Sequence, residues 1–365
     1  MTSQSHLDRF LYRHRLWGKR LLSVANALLP RTLSRRLRMA AERLAFRAVP
    51  QYQGDTLPPV FHFWSHRYVR PMMTPLGVDT PEALYAQGIE QFWRTAQRPA
   101  SILSLGSGGC ALELQLAQQL TAAGIPLHIE CLDLNPQLMA QARQDATGAG
   151  LSACMGFTVG DCNQGLPAGP FDVIIVNQFF HHIEDIETVC ARLGQIMAPD
   201  GLLMSCDVVG RNGHVLWPAV DAKVQAYWTQ LAPGQRMDRY YGRATPRYLS
   251  VDHAAYSNEG VRAQDIVRCL GEHFDFEVFL TFGGAIIPFV ERRIGFNFDP
   301  ASPVDAAFIE RVAQDDRVAI ANGDYPASNM IAVLRHRGAV KHAHYDPVSP
   351  QRHAALTRQQ QLATA

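Results

Sequence analysis

Between residues 101 and 208, five short apolar runs alternate with stretches patterned for helices, and that alternation leaves few folds open. The runs are Ile102–Leu105, Leu127–Leu132, Met155–Val159, Phe171–Val176 and Leu202–Val208. Helical periodicity fills Leu112–Ala123, Gln137–Thr147 and Ile186–Met197 between them. Strands that alternate with helices pair in parallel, because each crossover lays a helix across one face of the sheet. A run as apolar as Val173-Ile174-Ile175-Val176 belongs to a strand covered on both faces. Two later runs, Phe276–Phe282 and Met330–Leu334, are placed to close the sheet. The expectation is a doubly wound, mostly parallel α/β sheet of seven strands.

The remaining chain elaborates that sheet. With 365 residues, 47% of them hydrophobic, one large domain with additions is expected. Residues 51–98 read as an aromatic-rich cap, in which Thr80 and Pro81 predict a helix start. Residues from about 211 to 260 read as a lid insertion, helical around Trp217-Pro218 and rich in Tyr and Arg after 234. Val261–Leu270 predicts a helix, and 336–365, poor in hydrophobic pattern, a disordered tail.

Charge is unevenly spread. Residues 1–50 hold eleven Lys and Arg against Asp8 and Glu42, so about +9 in a chain of net charge +1. Helical patterning spans 8–48 and is broken at Pro30. This basic extension reads as a solvated helical cap, as a peripheral contact with an anionic membrane surface, or as a nucleic-acid contact. The last is disfavoured, because no stacking platform or nucleic-acid module accompanies it. No apolar run reaches the length of a membrane span. Seven scattered cysteines without metal-ligand spacing fit a reduced, cytoplasmic setting, with the inner membrane face as an alternative location.

The chemistry lies at strand ends. Ser104-Leu105-Gly106-Ser107-Gly108-Gly109-Cys110 follows a strand and opens a helix. Glycines there let backbone approach a ligand, and a helix N-terminus offers free N–H groups, although such turns also serve tight packing alone. Asp133, at the tip of the next strand, is placed to accept both hydroxyls of a ribose, with Leu134 beside it. Asn135 and Pro136 can start the following helix without it. Gly160-Asp161-Cys162 puts an acid where a purine amine can donate, or simply makes a turn. The fourth strand ends in Asn177-Gln178-Phe179-Phe180-His181-His182, on the edge where open α/β sheets hold ligands.

Taken together over residues 100–210, these motifs resemble the class I methyltransferases that use S-adenosylmethionine, with their Rossmann-like sheet. The resemblance implies that Gly106, Ser107 and Gly108 meet the methionyl part of that cofactor. It implies Asp133 and Leu134 at the ribose, Asp161 and Cys162 at the adenine, and Asn177 at the fourth strand end. Two positions depart from the pattern: Ser104 stands where an acid is usual, and Cys110 where a third glycine is usual. Ala111 in the last position separates the turn from the GxGxxG of hydride-transfer enzymes. Further stretches, including 57–65, 210–214, 260–266 and 295–299, are similar to a bacterial subgroup, some of whose members neighbour glycan-building enzymes. That similarity extends over nearly 55–335 and names no substrate.

Methyl transfer requires alignment of the acceptor atom with the methyl carbon, and loss of a proton where the acceptor is a hydroxyl. His181 and His182 are the leading candidates for that base, and His214 a second. His-His after the fourth strand also packs or caps the next helix in similar proteins. His62 and His253 are weaker candidates. Trp64, Arg70 and Tyr241, with Arg67, Tyr240 and Arg243, are placed to line an acceptor lid, aromatic faces and arginines suiting sugars or anions. The missing prolines after Asn177 disfavour nucleobase amines. Asp207 has no partner acids in the sequence, and metal-independent transfer is expected. The expected activity is O-methylation of a small-molecule or glycan-type acceptor. N- or C-methylation of a specialised metabolite or peptide is an alternative, as is an inactive cofactor-binding partner subunit. Oligomeric state is not legible.

Overall fold

The structure is a computed structural model that describes residues 57–364, with residues 23, 24, 28, 29 and 33 before them. The readings of 1–50 and of 51–56 otherwise lie outside the described residues. After short helical turns over 59–76 come α1 (Pro81–Ala96), β1 (Ala100–Leu105), α2 (Ala111–Ala122), β2 (Leu127–Asp133) and α3 (Pro136–Gly148). Next are β3 (Met155–Val159), β4 (Phe171–Asn177), α4 (Ile186–Ile196) and β5 (Met197–Val208). The insertion holds α5 (Pro218–Trp228) and a two-residue hairpin of β6 (Met237–Asp238) and β7 (Arg243–Ala244). The chain closes with α6 (Ile266–His273), β8 (Phe274–Phe282), α7 (Pro303–Asn322), β9 (Asn329–His336), β10 (His344–Asp346) and α8 (Pro350–Leu362).

The main sheet runs β10-β8-β9-β5-β4-β1-β2-β3. Strands β1 to β5 are parallel, β9 is antiparallel to both β5 and β8, and β10 is parallel to β8. The expected mostly parallel, doubly wound sheet is present, with eight strands rather than seven. Val173, Ile174, Ile175 and Val176 are all fully buried, as a central strand between helical layers requires. Each gains about 1.5–3 kcal/mol by leaving water. Thr80 caps α1 by accepting from the Ala83 N–H at 3.1 Å.

Strand order reverses between β1 and β4, so the loops beyond their carboxyl ends splay apart and leave a crevice. Buried Asp172 fixes the opposite end of this pair. It takes two bonds from Arg98, at 2.6 and 2.7 Å, and one from the Ser101 N–H at 2.9 Å.

The disordered tail expected over 336–365 is replaced by β10 and α8. Ser349 caps α8 through the Arg352 N–H at 3.2 Å. The helix buries His353, Leu356 and Thr357, and the His353 ring reaches the Ala327 carbonyl at 3.0 Å. A buried face built from His and Thr as well as Leu leaves no strong apolar period in the sequence.

Candidate active site

The crevice is built from the strand ends. Gly106 and Ser107 donate their N–H groups to the Leu132 carbonyl at 2.8 and 3.3 Å, tying the glycine turn to β2. Gly106 has φ of 67°, and a Cβ there would overlap the Phe179 ring. A side chain at Gly108 would meet only open space in the cleft. Asp133 accepts from the Gly108 N–H at 2.9 Å and the Asn135 N–H at 2.8 Å. Asn135 itself caps α3, so Asp133 is not needed for that task and faces the cleft. Asp161 accepts from the backbone and side chain of Asn163 at 3.0 and 2.9 Å, beside buried Cys162. Leu134, Leu138 and Cys162 give the cleft an apolar wall.

At the departing position Ser104, an acid arrives from elsewhere. Ser104 Oγ donates to Glu113 Oε1 at 2.5 Å, both residues being buried. Burial pushes the Glu113 carboxyl up, against the pull of that hydrogen bond. Cys110 adopts φ of 57°, a left-handed conformation in which glycine is normally cheaper.

Asn177 does not line the cleft. It accepts from the Tyr85 hydroxyl at 3.0 Å, while Gln178, at φ of 52°, turns the chain so that Gln178 and Phe179 form the wall. Three residues expected at the acceptor also lie elsewhere. Trp64 is buried in the core against Phe61 and Phe282. Arg70 pairs with Asp79 at 3.4 Å. Tyr241 sits in the β6–β7 hairpin, edge-on to Tyr240 and beside Arg293, which is ion-paired to Asp238. Aromatic packing and local ion pairs claim these side chains; none borders the cleft.

His181, His182 and His214 do come together. His181 Nδ1 lies 2.5 Å from Asp207 Oδ1. Its Nε2 lies 3.4 Å from Glu259 Oε1. His214 Nε2 lies 2.9 Å from that same oxygen, and His182 Nε2 3.5 Å from Glu259 Oε2. Burial opposes protonation of His181, but Asp207 and Glu259 outweigh it and push the ring up to about 10. Burial and the neighbouring charge of His181 press His182 down to about 4. Burial alone would raise the Glu259 carboxyl; His181 and His214 instead hold it far below the carboxylate range. His182 borders the cleft beside Phe179 and Asn258.

Two loops carry this assembly. The Gly213 N–H donates to the Gly260 carbonyl at 2.9 Å, and Asn212 and Gln264 exchange a reciprocal pair of bonds at 3.2 Å. Gly260, at φ of 69°, lets the strap of residues 258–262 pass close to His214. Arg262 fastens the strap to the Glu184 carbonyl just ahead of α4, at 3.1 Å, and to Glu187 within α4, at 2.5 Å. No spacing rule in the sequence joins Glu259 to the histidines. Among the described residues His181, His214 and Glu259 nevertheless bring their ligand atoms within 4.8 Å of one another.

A family model described as a methyltransferase domain matches residues 103–203. A non-reducing polyketide synthase of Penicillium shearii is 25% identical over 187 residues, which is 50% of this chain and 8% of that protein. The chain thus spans under a tenth of that relative's length. The citrinin polyketide synthase CMeT domain is similar at 22% identity and TM-score 0.29, over 31% of this chain and 30% of that one. A putative sarcosine dimethylglycine methyltransferase from Galdieria sulphuraria is similar at 13% identity and TM-score 0.39, over 72% and 87%. The cleft fits the cofactor such domains use. It offers open space at Gly108, an apolar wall and carboxylates at two strand ends, whereas Ser107, expected at the cofactor, does not border it and keeps its hydroxyl buried. The family match and the glycine turn with its strand-end acids make residues 103–203 a class I methyltransferase domain of the S-adenosylmethionine-dependent type.

Proposed function

We propose that this chain methylates an oxygen of a small-molecule or glycan-type acceptor, and that the histidine cluster receives the acceptor's proton. The supporting observation is His182 in the cleft wall, between the Gly106–Phe179 contact and the Glu259 strap. S-adenosylmethionine supplies a methyl group on a sulfonium, so both electrons of the breaking S–C bond stay on sulfur. Asp133 and Asp161 would hold the hydroxyls and amine of the nucleoside, and the glycine turn would admit the methionyl part. His182 takes the acceptor proton as the acceptor lone pair forms the new bond. His181 has both ring nitrogens engaged, by Asp207 and Glu259, and acts as a positioning residue.

A second reading is methylation at an acidic carbon, and the polyketide synthase relative favours it. The proton then leaves from a carbon flanked by electron-withdrawing groups, with the same base.

Calorimetric titration with S-adenosylhomocysteine tests the cofactor half. The parent is expected to bind, and Asp133→Ala to bind about 10–100-fold more weakly, since charge-assisted bonds to the ribose are lost. A well-folded parent that does not bind would overturn the cofactor cleft. Transfer of labelled methyl to hydroxylated and to 1,3-dicarbonyl acceptors then separates the two readings. A chain that binds cofactor and methylates neither class would favour a partner-subunit role.

A further inference from the structure

The cluster beside the cleft brings three groups, each able to offer one metal-ligand atom, within 4.8 Å of one another. Glu259 Oε1 is approached by the Nε2 atoms of two histidines, at 3.4 Å from His181 and 2.9 Å from His214. Ligand atoms about 2.1 Å from a common cation stand about 3.0–3.4 Å apart in octahedral or tetrahedral geometry; the longer of these two distances lies at the top of that range and the shorter just below it.

The surroundings add a second, independent observation. Behind His181, Asp207 takes the other ring nitrogen at 2.5 Å, and it is itself fully buried. Its carboxylate also accepts from the N–H groups of Phe179, Phe180 and Val208, at 2.9, 2.8 and 2.7 Å. A carboxylate that fixes the tautomer of a histidine whose far nitrogen points to further ligands is the usual backing of a metal-bound imidazole. His214 is held at φ of 58°, a conformation unusual for a residue with a side chain, and the reciprocal Asn212–Gln264 bonds brace the turn that contains it.

We infer that His181, His214 and Glu259 form a binding site for a divalent first-row transition cation, of the zinc class, at the acceptor end of the cofactor cleft. Two imidazoles and one carboxylate are the ligand set of open, Lewis-acid sites, which leave further positions for an exogenous oxygen. Mg²⁺ and Ca²⁺ favour all-oxygen sites, so imidazole-rich ligation selects against them. His182 and Asn258, the chain neighbours of His181 and Glu259, border the cleft, which places the cation beside the acceptor. A cation there draws electron density from an acceptor oxygen and lowers its pKa, easing the proton loss assigned to His182. Only this last role rests on the proposed function; the site itself does not.

The test uses the full chain, stripped with chelator and dialysed, then titrated with Zn²⁺ and with Co²⁺. About one equivalent is expected to bind, and the visible absorption of bound Co²⁺ reports low coordination by nitrogen and oxygen. Glu259→Gln, on a partly exposed strap, is expected to keep the fold and weaken binding about a hundredfold or more. Asp207→Asn is expected to weaken it about 10–100-fold without removing a ligand. S-adenosylhomocysteine titration of the stripped chain shows whether the cofactor cleft is sound irrespective of the metal result. A stripped parent that takes up neither ion would overturn the inference and leave a proton-sharing network. Uptake that Glu259→Gln and a folded His214→Gln leave unchanged would place the ion elsewhere and overturn it equally.

Discussion

His181 on the turn after β4 and Asp207 near the end of β5 lie 26 residues apart in sequence and 2.5 Å apart in space, both out of solvent. The pair welds two adjacent strand ends, because Asp207 also holds the backbone of Phe179 and Phe180. Asp207→Ala is expected to cost about 3–5 kcal/mol of stability, since it strands buried N–H donors and a buried imidazole. Urea denaturation checks this; a loss under 1 kcal/mol would mean the turn keeps its shape without the carboxylate.

Gly106→Ala is expected to weaken cofactor binding at least about tenfold and to cost about 1–3 kcal/mol. The new methyl meets the Phe179 ring, and the residue must keep a positive φ. Adding Phe179→Leu should recover part of both losses. If the double variant is no better than the single one, backbone strain rather than the ring contact sets the cost.

Arg98→Met removes two bonds from buried Asp172 and is expected to cost about 2–3 kcal/mol. Arg98 is half-exposed, so water recovers part of what the guanidinium provided. The ion pair sits at the amino ends of β1 and β4, away from the cleft, and the affinity for S-adenosylhomocysteine should not change. A shifted affinity would show that the sheet transmits the disturbance to its far edge.

The carboxyl-terminal helix carries its own pH dependence. Burial holds His353 at about 4, below its ordinary 6.5, despite the Ala327 carbonyl favouring the charged ring. Between those values the unfolded chain binds the proton and the folded chain does not. Stability therefore falls as pH drops from about 6.5 to 4, by up to about 3 kcal/mol from this residue. Thermal melts across that window should show a steeper slope for the parent than for His353→Gln. Equal slopes would assign the acid sensitivity to other groups.

Much of this architecture is legible because it is local. The strand β4 declares itself through four consecutive buried residues, and the glycine turn through its place between a strand and a helix. Asp133 is legible too, since Asn135 visibly supplies the helix cap. The misreadings are of another kind. Asn177 turns away because Gln178 takes a left-handed conformation that nothing in its side chain announces. Trp64 reads as a lid residue because an aromatic near a site and an aromatic in a core have the same letter. Glu259 is invisible, since its partners lie on two other loops and no periodicity links them.

The residues that the family model matches stop at 203, whereas Asp207, His214 and Glu259 all come later in the chain. Of the cluster proposed to face the acceptor, His181 and His182 thus lie within the matched stretch, and Asp207, His214 and Glu259 beyond it. Substitutions in the strap and in the His214 turn would alter that later part while leaving the glycine turn, Asp133 and Asp161 as they are. Two chains alike across the matched stretch can therefore share a methyl donor and differ in everything they methylate. Kinship read from that stretch alone predicts the donor and is silent about the acceptor.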